Sequence, residues 1–161
     1  MMGMKSLSSR LSLEVDVRVE LRDCAFDPYA ELSRFQSELQ HQARKYGATS
    51  IFVGTMRDFN EGDSVETLWL EHYPGMTERE LTRIIEEAGK HWPFSEALVI
   101  HRVGAIEPGE SIVLIAIWSA HRSAALEATR QILEDLKHRA PFWKKETLTR
   151  GCRWVERNTP G

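Results

Sequence analysis

Cysteine is scarce in this chain. Only Cys24 and Cys152 occur in 161 residues, far apart, with no CxxC pair and no histidine nearby at ligand spacing. A structural zinc or a disulfide framework is therefore not expected, no metal ligands are assigned, and a reducing, cytoplasmic setting fits. An excess of either charge is also missing: 21 Lys and Arg stand against 24 Asp and Glu, for a net charge of -3. That balance argues against a protein that coats nucleic acid or an anionic membrane, and leaves room only for a local basic pocket. The first residues carry Lys5 and Arg10 but no apolar segment of signal-peptide type, and no later run approaches the length of a membrane span. Repeats, low-complexity tracts, HxxxH or HxH spacing and a G-x-S-x-G elbow are all absent.

What is present is a well-patterned chain of a size that fits one domain. Residues 1–11 read as a flexible N-terminus, 12–157 as a single domain and 158–161 as a short tail. In "LSLEVDVRVEL" the apolar residues Leu11 to Leu21 alternate strictly with polar ones, the period of a strand with one buried face. Asp27-Pro28 supplies an N-cap and first helical residue, followed by Leu32, Phe35, Leu39 and Ala43 at helical spacing up to Gly47. Two strands follow in "ATSIFVGTM" and "SVETLWLEHY", separated by the loop "RDFNEGD". Thr77 and Glu80 form a capping-box pattern ahead of Leu81, Ile84, Ile85 and Ala88, which marks a second helix ending at Trp92-Pro93.

"ALVIHRV" and "SIVLIAIW" flank the turn dipeptide Pro108-Gly109 and are expected to pair as a hairpin, the second so apolar that both its faces should be covered. Ala125, Ala128, Ile132 and Leu136 mark a third helix, capped by Ser119 or Ser123 and ended by Pro141. The tail "KKETLTRGCRWVE" can form two short strands around Gly151. The order predicts an α+β fold, with helices packed on a mainly antiparallel sheet.

Positive charge gathers at two ends of the third helix. His121 and Arg122 fall in its first turn, where the dipole disfavours cations and where a bound anion would be held by dipole, amides and guanidinium together. An Arg122 turned to a nearby carboxylate such as Glu127, with His121 on the surface, is an equally good reading of these two residues alone. At the other end stands "LKHRAPFWKKE". Lys137, His138 and Arg139 suit the negative end of the dipole, whereas Lys144 and Lys145 directly follow Pro141, Phe142 and Trp143. A lysine held against apolar rings loses hydration, which lowers its pKa and favours acid-base or nucleophilic work, although exposed lysines lying over aromatics are commoner. Arg57 follows Gly54 in "VGTMR" and offers a forked donor to phosphate or carboxylate, or simply to solvent. His72 and His101 read as strand residues.

Five blocks, "VGTMRDFNEGDSV", "LEHYPGMTE", "IHRVGAIEPGE", "SAHRSAALEA" and "LKHRAPFWKKE", in this order and spacing closely resemble the large, catalytic subunit of molybdopterin synthase, over roughly residues 12–157. The resemblance implies an α/β hammerhead-like fold with a small extra β subdomain, and a sulfurtransferase without a resident cofactor. It further implies a partner, a small ubiquitin-like sulfur carrier whose C-terminal thiocarboxylate delivers sulfur to cyclic pyranopterin monophosphate. Two sulfurs build the dithiolene of molybdopterin, and the large subunits pair as a homodimer within a heterotetramer. Carried over residue by residue, Lys137 and Lys144 match the catalytic lysines, and Arg57, His121 and Arg122 match the substrate pocket. Arg139, Phe142 and Trp143 are expected along the channel for the carrier tail. Phe59 stands where a polar residue is expected in many relatives, and the chain's end at Gly161 is read as dispensing with contacts of a longer tail. The competing classes are a non-catalytic scaffold, and a module in which "PFWKK" with Arg139 stacks on and neutralises single-stranded nucleic acid.

Overall fold

The computed structural model describes residues 15–39 and 45–156. Among the described residues twelve elements follow in chain order: β1 (Asp16–Arg22), α1 (Pro28–Glu38), β2 (Ala48–Thr55), β3 (Phe59–Asn60), β4 (Asp63–His72), α2 (Met76–His91), β5 (Glu96–Arg102), β6 (Gly104–Ile106), β7 (Ser111–Ser119), α3 (Arg122–Arg139), β8 (Phe142–Leu148) and β9 (Gly151–Val155). The expected N-terminus over residues 1–11, the first residues of the expected first strand, Ala43 and the tail over 158–161 lie outside the described residues. No described helix is long and apolar enough to cross a membrane.

The strands form two sheets. The first runs β1-β5-β7-β2, with β1 parallel to β5 and the other pairs antiparallel. Its central strands β5 and β7 are covered on both faces, which explains their nearly unbroken apolar runs. On one face α2 and α3 bring Leu81, Ile84, Ile85, Ala128 and Ile132 onto Val99, Ile115 and Ile117. On the other, Phe35 and Leu39 from the α1 segment meet Leu98, Ile100, Leu114 and Trp118, with the Phe35 and Trp118 rings 5.1 Å apart. Full burial of each such side chain is worth about 1.5–3 kcal/mol, so this three-layer sandwich carries the stability of the fold.

The second sheet runs β3-β4-β8-β9, with β6 added against β4. Its core is small: Met56, Val65, Leu68, Leu70, Ile106 and Leu148. Here lies the extra β subdomain, larger than the two short strands expected of the tail, because β4 and β6 join it and β8 begins at Phe142.

At α1 the expected cap forms: Asp27 accepts from the amides of Tyr29 and Ala30. The helix stops at Glu38, well short of Gly47. At α2 only half of a box forms, and at Gly75 in place of Thr77: Glu78 accepts from the Gly75 amide at 2.6 Å, while Thr77 accepts from the Tyr73 amide and reaches the Pro141 carbonyl. At α3 the N-cap is His121, which makes no side-chain capping bond, and neither expected serine caps the helix. Ser119 instead accepts the His121 amide and donates to the Pro93 carbonyl.

One buried carboxyl couples this core to pH. Glu96 is 2% exposed and stands in register with Asp16 on β1 and Trp118 on β7. Burial first, and the charge of Asp16 second, push its carboxyl from 4.5 up to about 7. A raised carboxyl pKa means that the folded state holds a proton the unfolded chain gives up between those values, so its favourable contribution is full below 4.5 and lost as pH rises through 7. Glu96→Gln is expected to raise stability by ~1–3 kcal/mol at pH 8 and to change it little at pH 4. Urea unfolding at both pH values checks this, and an equal effect at both would refute it.

Candidate functional site

Between the two sheets and the C-terminal end of α3 lies a cavity of about 420 Å³. Strand β2 supplies one wall from Phe52 to Thr55, the following loop supplies Met56 and Arg57, and β3 supplies Phe59 and Asn60. Leu133, Leu136 and Lys137 enter from α3, His101 from β5, Lys144 and Glu146 from β8, and Val155 from β9. Arg57, Lys137 and Lys144 place three cations in a lining that is otherwise largely apolar, a combination suited to an anionic ligand with a flat organic part.

Strand alternation sorts the motif "PFWKKE". Phe142, Lys144 and Glu146 point inward, whereas Trp143 and Lys145 are cross-strand neighbours of Glu71 and Trp69 on the outer face. Trp143 meets Tyr73 edge-on at 4.7 Å and remains 42% exposed. Lys145 lies 5.7 Å from the Trp154 ring. The aromatic-basic cluster seen in sequence is thus split between two surfaces.

Burial lowers the pKa of Lys144 first, the charge of Lys137 lowers it further, and Glu146 opposes both. The two lysines therefore share one field. Glu146 is 6% exposed and tied on both oxygens: Asn60 donates to one at 2.6 Å and Arg153 to the other at 2.9 Å. Arg153 also reaches Asp63 and the Asn60 carbonyl, so this carboxylate fastens the β3–β4 turn to β8 and β9. Its importance was not legible in the sequence, because Asn60, which binds Glu146, and Asp63, which binds Arg153, lie 86 and 90 residues away from them along the chain.

Gly54 faces Val113 across the β2–β7 ladder, and a Cβ there would stand 2.9 Å from the Val113 methyl. The close approach expected at this glycine is made by the neighbouring strand. A register shift between Gly54 and Thr55 then releases the chain toward Arg57, whose guanidinium lies 4.9 Å over the Phe59 ring. Phe59 therefore contributes an aromatic support for the arginine in place of a polar contact.

The structure brings Arg57, Lys137 and Lys144 to one cavity and leaves the other expected site residues outside its lining. Phe142 lies just behind it, stacked on His101 at 4.2 Å. Arg139 is held by Glu80 and Glu87 on α2, at 3.0 and 2.6 Å. His121 and Arg122 are exposed at the start of the 18-residue α3. Fifteen residues of helix separate Arg122 from Lys137, or about 22 Å along the axis. Within one chain they do not meet the lysines.

Comparison with known proteins agrees with this architecture. The family model described as MoaE protein matches residues 26–139. The molybdopterin synthase catalytic subunit of Pseudomonas aeruginosa is 48% identical over 86% of this chain and 89% of its own length. That of Escherichia coli K12 is 53% identical over 68% and 73%. Among solved structures, the molybdopterin biosynthesis MoaE protein of Burkholderia ambifaria is 41% identical with a TM-score of 0.69, covering 91% and 92% of the two chains. Molybdopterin synthase of Staphylococcus aureus is 28% identical with a TM-score of 0.68, covering 88% and 96%. The chain belongs to the MoaE family of molybdopterin synthase catalytic subunits.

Proposed function

We propose that the cavity between the two sheets is where sulfur passes from a thiocarboxylated small carrier to cyclic pyranopterin monophosphate. The observation that carries this reading is the convergence of Lys137, Lys144 and Arg57 on one partly apolar cavity. The carrier terminus and the substrate phosphate are both anionic and repel each other, and cations placed between them offset that repulsion. Relatives named as the catalytic subunit of a synthase imply at least one further subunit, which the carrier would be.

In this mechanism Arg57, stiffened by Phe59, holds a phosphate or carboxylate oxygen. The thiocarboxylate sulfur bonds to a carbon of the pterin side chain as an oxygen leaves that carbon, and water then attacks the acyl carbon, polarised by Lys137, so that the carbon–sulfur bond breaks and the carrier is released as its carboxylate. Lys144, whose lowered pKa brings its ammonium closer to giving up a proton, handles the proton of the group being displaced. No resident cofactor enters, because sulfur arrives on the carrier. Neither Cys24 nor Cys152 is required, and free exposed thiols fit a cytoplasmic setting.

His121 and Arg122 join the same substrate only if a second copy of the chain presents the start of its α3 to this cavity. That helix start favours an anion: it is exposed, lacks a side-chain cap and has no acidic residue in its first turn. A homodimer with one carrier per site satisfies this geometry. The test is single-turnover conversion of cyclic pyranopterin monophosphate by the purified protein with thiocarboxylated carrier, the dithiolene being followed as its oxidised fluorescent derivative. Dithiolene formation is the expected result. Its absence from folded, carrier-bound protein would move the non-catalytic scaffold reading to the front.

A further inference from the structure

His101, which the sequence marks only as a strand residue, sits at the back of the cavity with 4% of its surface exposed. Its Nδ1 lies 2.7 Å from the Arg102 carbonyl oxygen. A carbonyl only accepts, so Nδ1 carries the hydrogen and Nε2 is left with the lone pair. The ring lies nearly parallel to Phe142, at 15° and 4.2 Å. Phe142 precedes Lys144 by two residues on β8 and therefore shares its face of the strand.

The surroundings keep this imidazole neutral. Desolvation is the main cause, the hydrogen bond to the Arg102 carbonyl opposes it, and the positive charge of Lys144 adds to it, so the pKa falls to about 4. The neighbours of His101 in the sheet, Leu21 on β1 and Val113 on β7, are apolar. The charged groups that share the cavity are Lys144 and Glu146 from β8, Lys137 from α3 and Arg57 from the loop after β2. The Arg102 side chain turns away, to Glu110 and the Ala105 carbonyl.

A site with three cationic side chains has few ways to orient an ammonium. A further cation would repel it, and an uncommitted carboxylate would form a salt bridge that quenches it. Glu146 still has lone pairs to share, but the Arg153 guanidinium bound to it already offsets its charge. A neutral acceptor orients the ammonium and leaves its charge available to the substrate.

We infer that His101 is the positioning residue for Lys144: its ring braces β8 through Phe142, and its locked tautomer turns Nε2 toward the cavity as an acceptor for the lysine ammonium. This rests on the reading of the cavity given above, but the first readout does not require turnover. It is the titration of Lys144 in the folded protein without substrate, followed by NMR of the 13C-dimethylated amine and assigned with Lys144→Arg. His101→Phe keeps an aromatic ring against Phe142 and removes the acceptor, so the pKa of Lys144 is expected to fall further. His101→Gln restores an acceptor and should return it toward the wild-type value. In single turnover, His101→Phe should lose about ten- to a hundred-fold in rate with carrier affinity unchanged, and His101→Gln should recover part of that loss.

An unchanged Lys144 titration in a folded His101→Phe protein would overturn the assignment whatever the turnover. Equal impairment of both variants, with the same lysine titration as wild type, would equally overturn it and leave only packing. If the titration moves as stated while wild-type protein forms no dithiolene, the positioning role stands and the proposed reaction fails.

Discussion

Replacing Lys137 by alanine is expected to lower single-turnover sulfur transfer by about a thousand-fold or more, while binding of the carrier stays near wild type. The expectation comes from where the charge sits. Lys137 is in the last turn of α3, at the wall where the apolar side chains of Leu133 and Leu136 give way to the β8 strand with Lys144. A carrier bound by its folded body makes most of its contacts elsewhere, so the loss falls on the chemical step and not on association. A second signature separates this from simple misplacement. Lys137 lowers the pKa of Lys144, so its removal must raise it, and the lysine-dependent limb of the pH–rate profile should move to higher pH. Lys137→Arg keeps the positive field and should leave that limb near its wild-type position. Near wild-type turnover in Lys137→Ala would remove the residue from the mechanism.

The local parts of this structure were open to reading from the sequence, and the non-local parts were not. Strict alternation through Val15, Val17 and Val19 reports a strand, and Asp27-Pro28 reports a helix start, because both depend on neighbours a few residues away. The capping pattern at Thr77 and Glu80 satisfied the same kind of rule and still misplaced the bonds. The Thr77 hydroxyl is engaged by the Tyr73 amide and by Pro141, 64 residues later, and only half of a box forms, where Glu78 accepts from the Gly75 amide. Likewise, "ALVIHRV" and "SIVLIAIW" do pair, but β6 leaves their connection to join β4 in the other sheet. No local pattern marks that exchange.

The site divides in the same way. Lys137, Lys144 and Arg57 were reached through five ordered blocks of family resemblance, and composition alone had left each with an ordinary surface explanation. His101 and Glu146 were not singled out as site residues. Period-2 alternation says which residues share a face, but not which face borders a cavity, and that depends on how β8 crosses the end of α3. The expectation for Arg139 came from its place in "HRAPFWKKE", whereas its ion pairs with Glu80 and Glu87 join α3 to α2, an arrangement invisible until the two helices are packed.

The exposed start of α3 gives the sharpest test of how many copies of the chain make one site. Arg122→Ala and Lys137→Ala are each expected to be nearly inactive, the first through lost substrate affinity and the second through the lost chemical step. If Arg122 serves the cavity of a second copy, the two changes damage opposite sides of a shared boundary. In a mixed dimer, one cavity then receives both defects and the other receives neither. Mixing the two inactive proteins under conditions that allow exchange should therefore restore about a quarter of wild-type activity, since half of the dimers are mixed and each has one intact site. A site built within one chain gives no recovery, because every cavity in the mixture still carries one defect. The same holds for a monomer. The distance along α3 makes the first outcome the expected one: about 22 Å of helix between Arg122 and Lys137 is too far for one anion of this size to touch both within one chain.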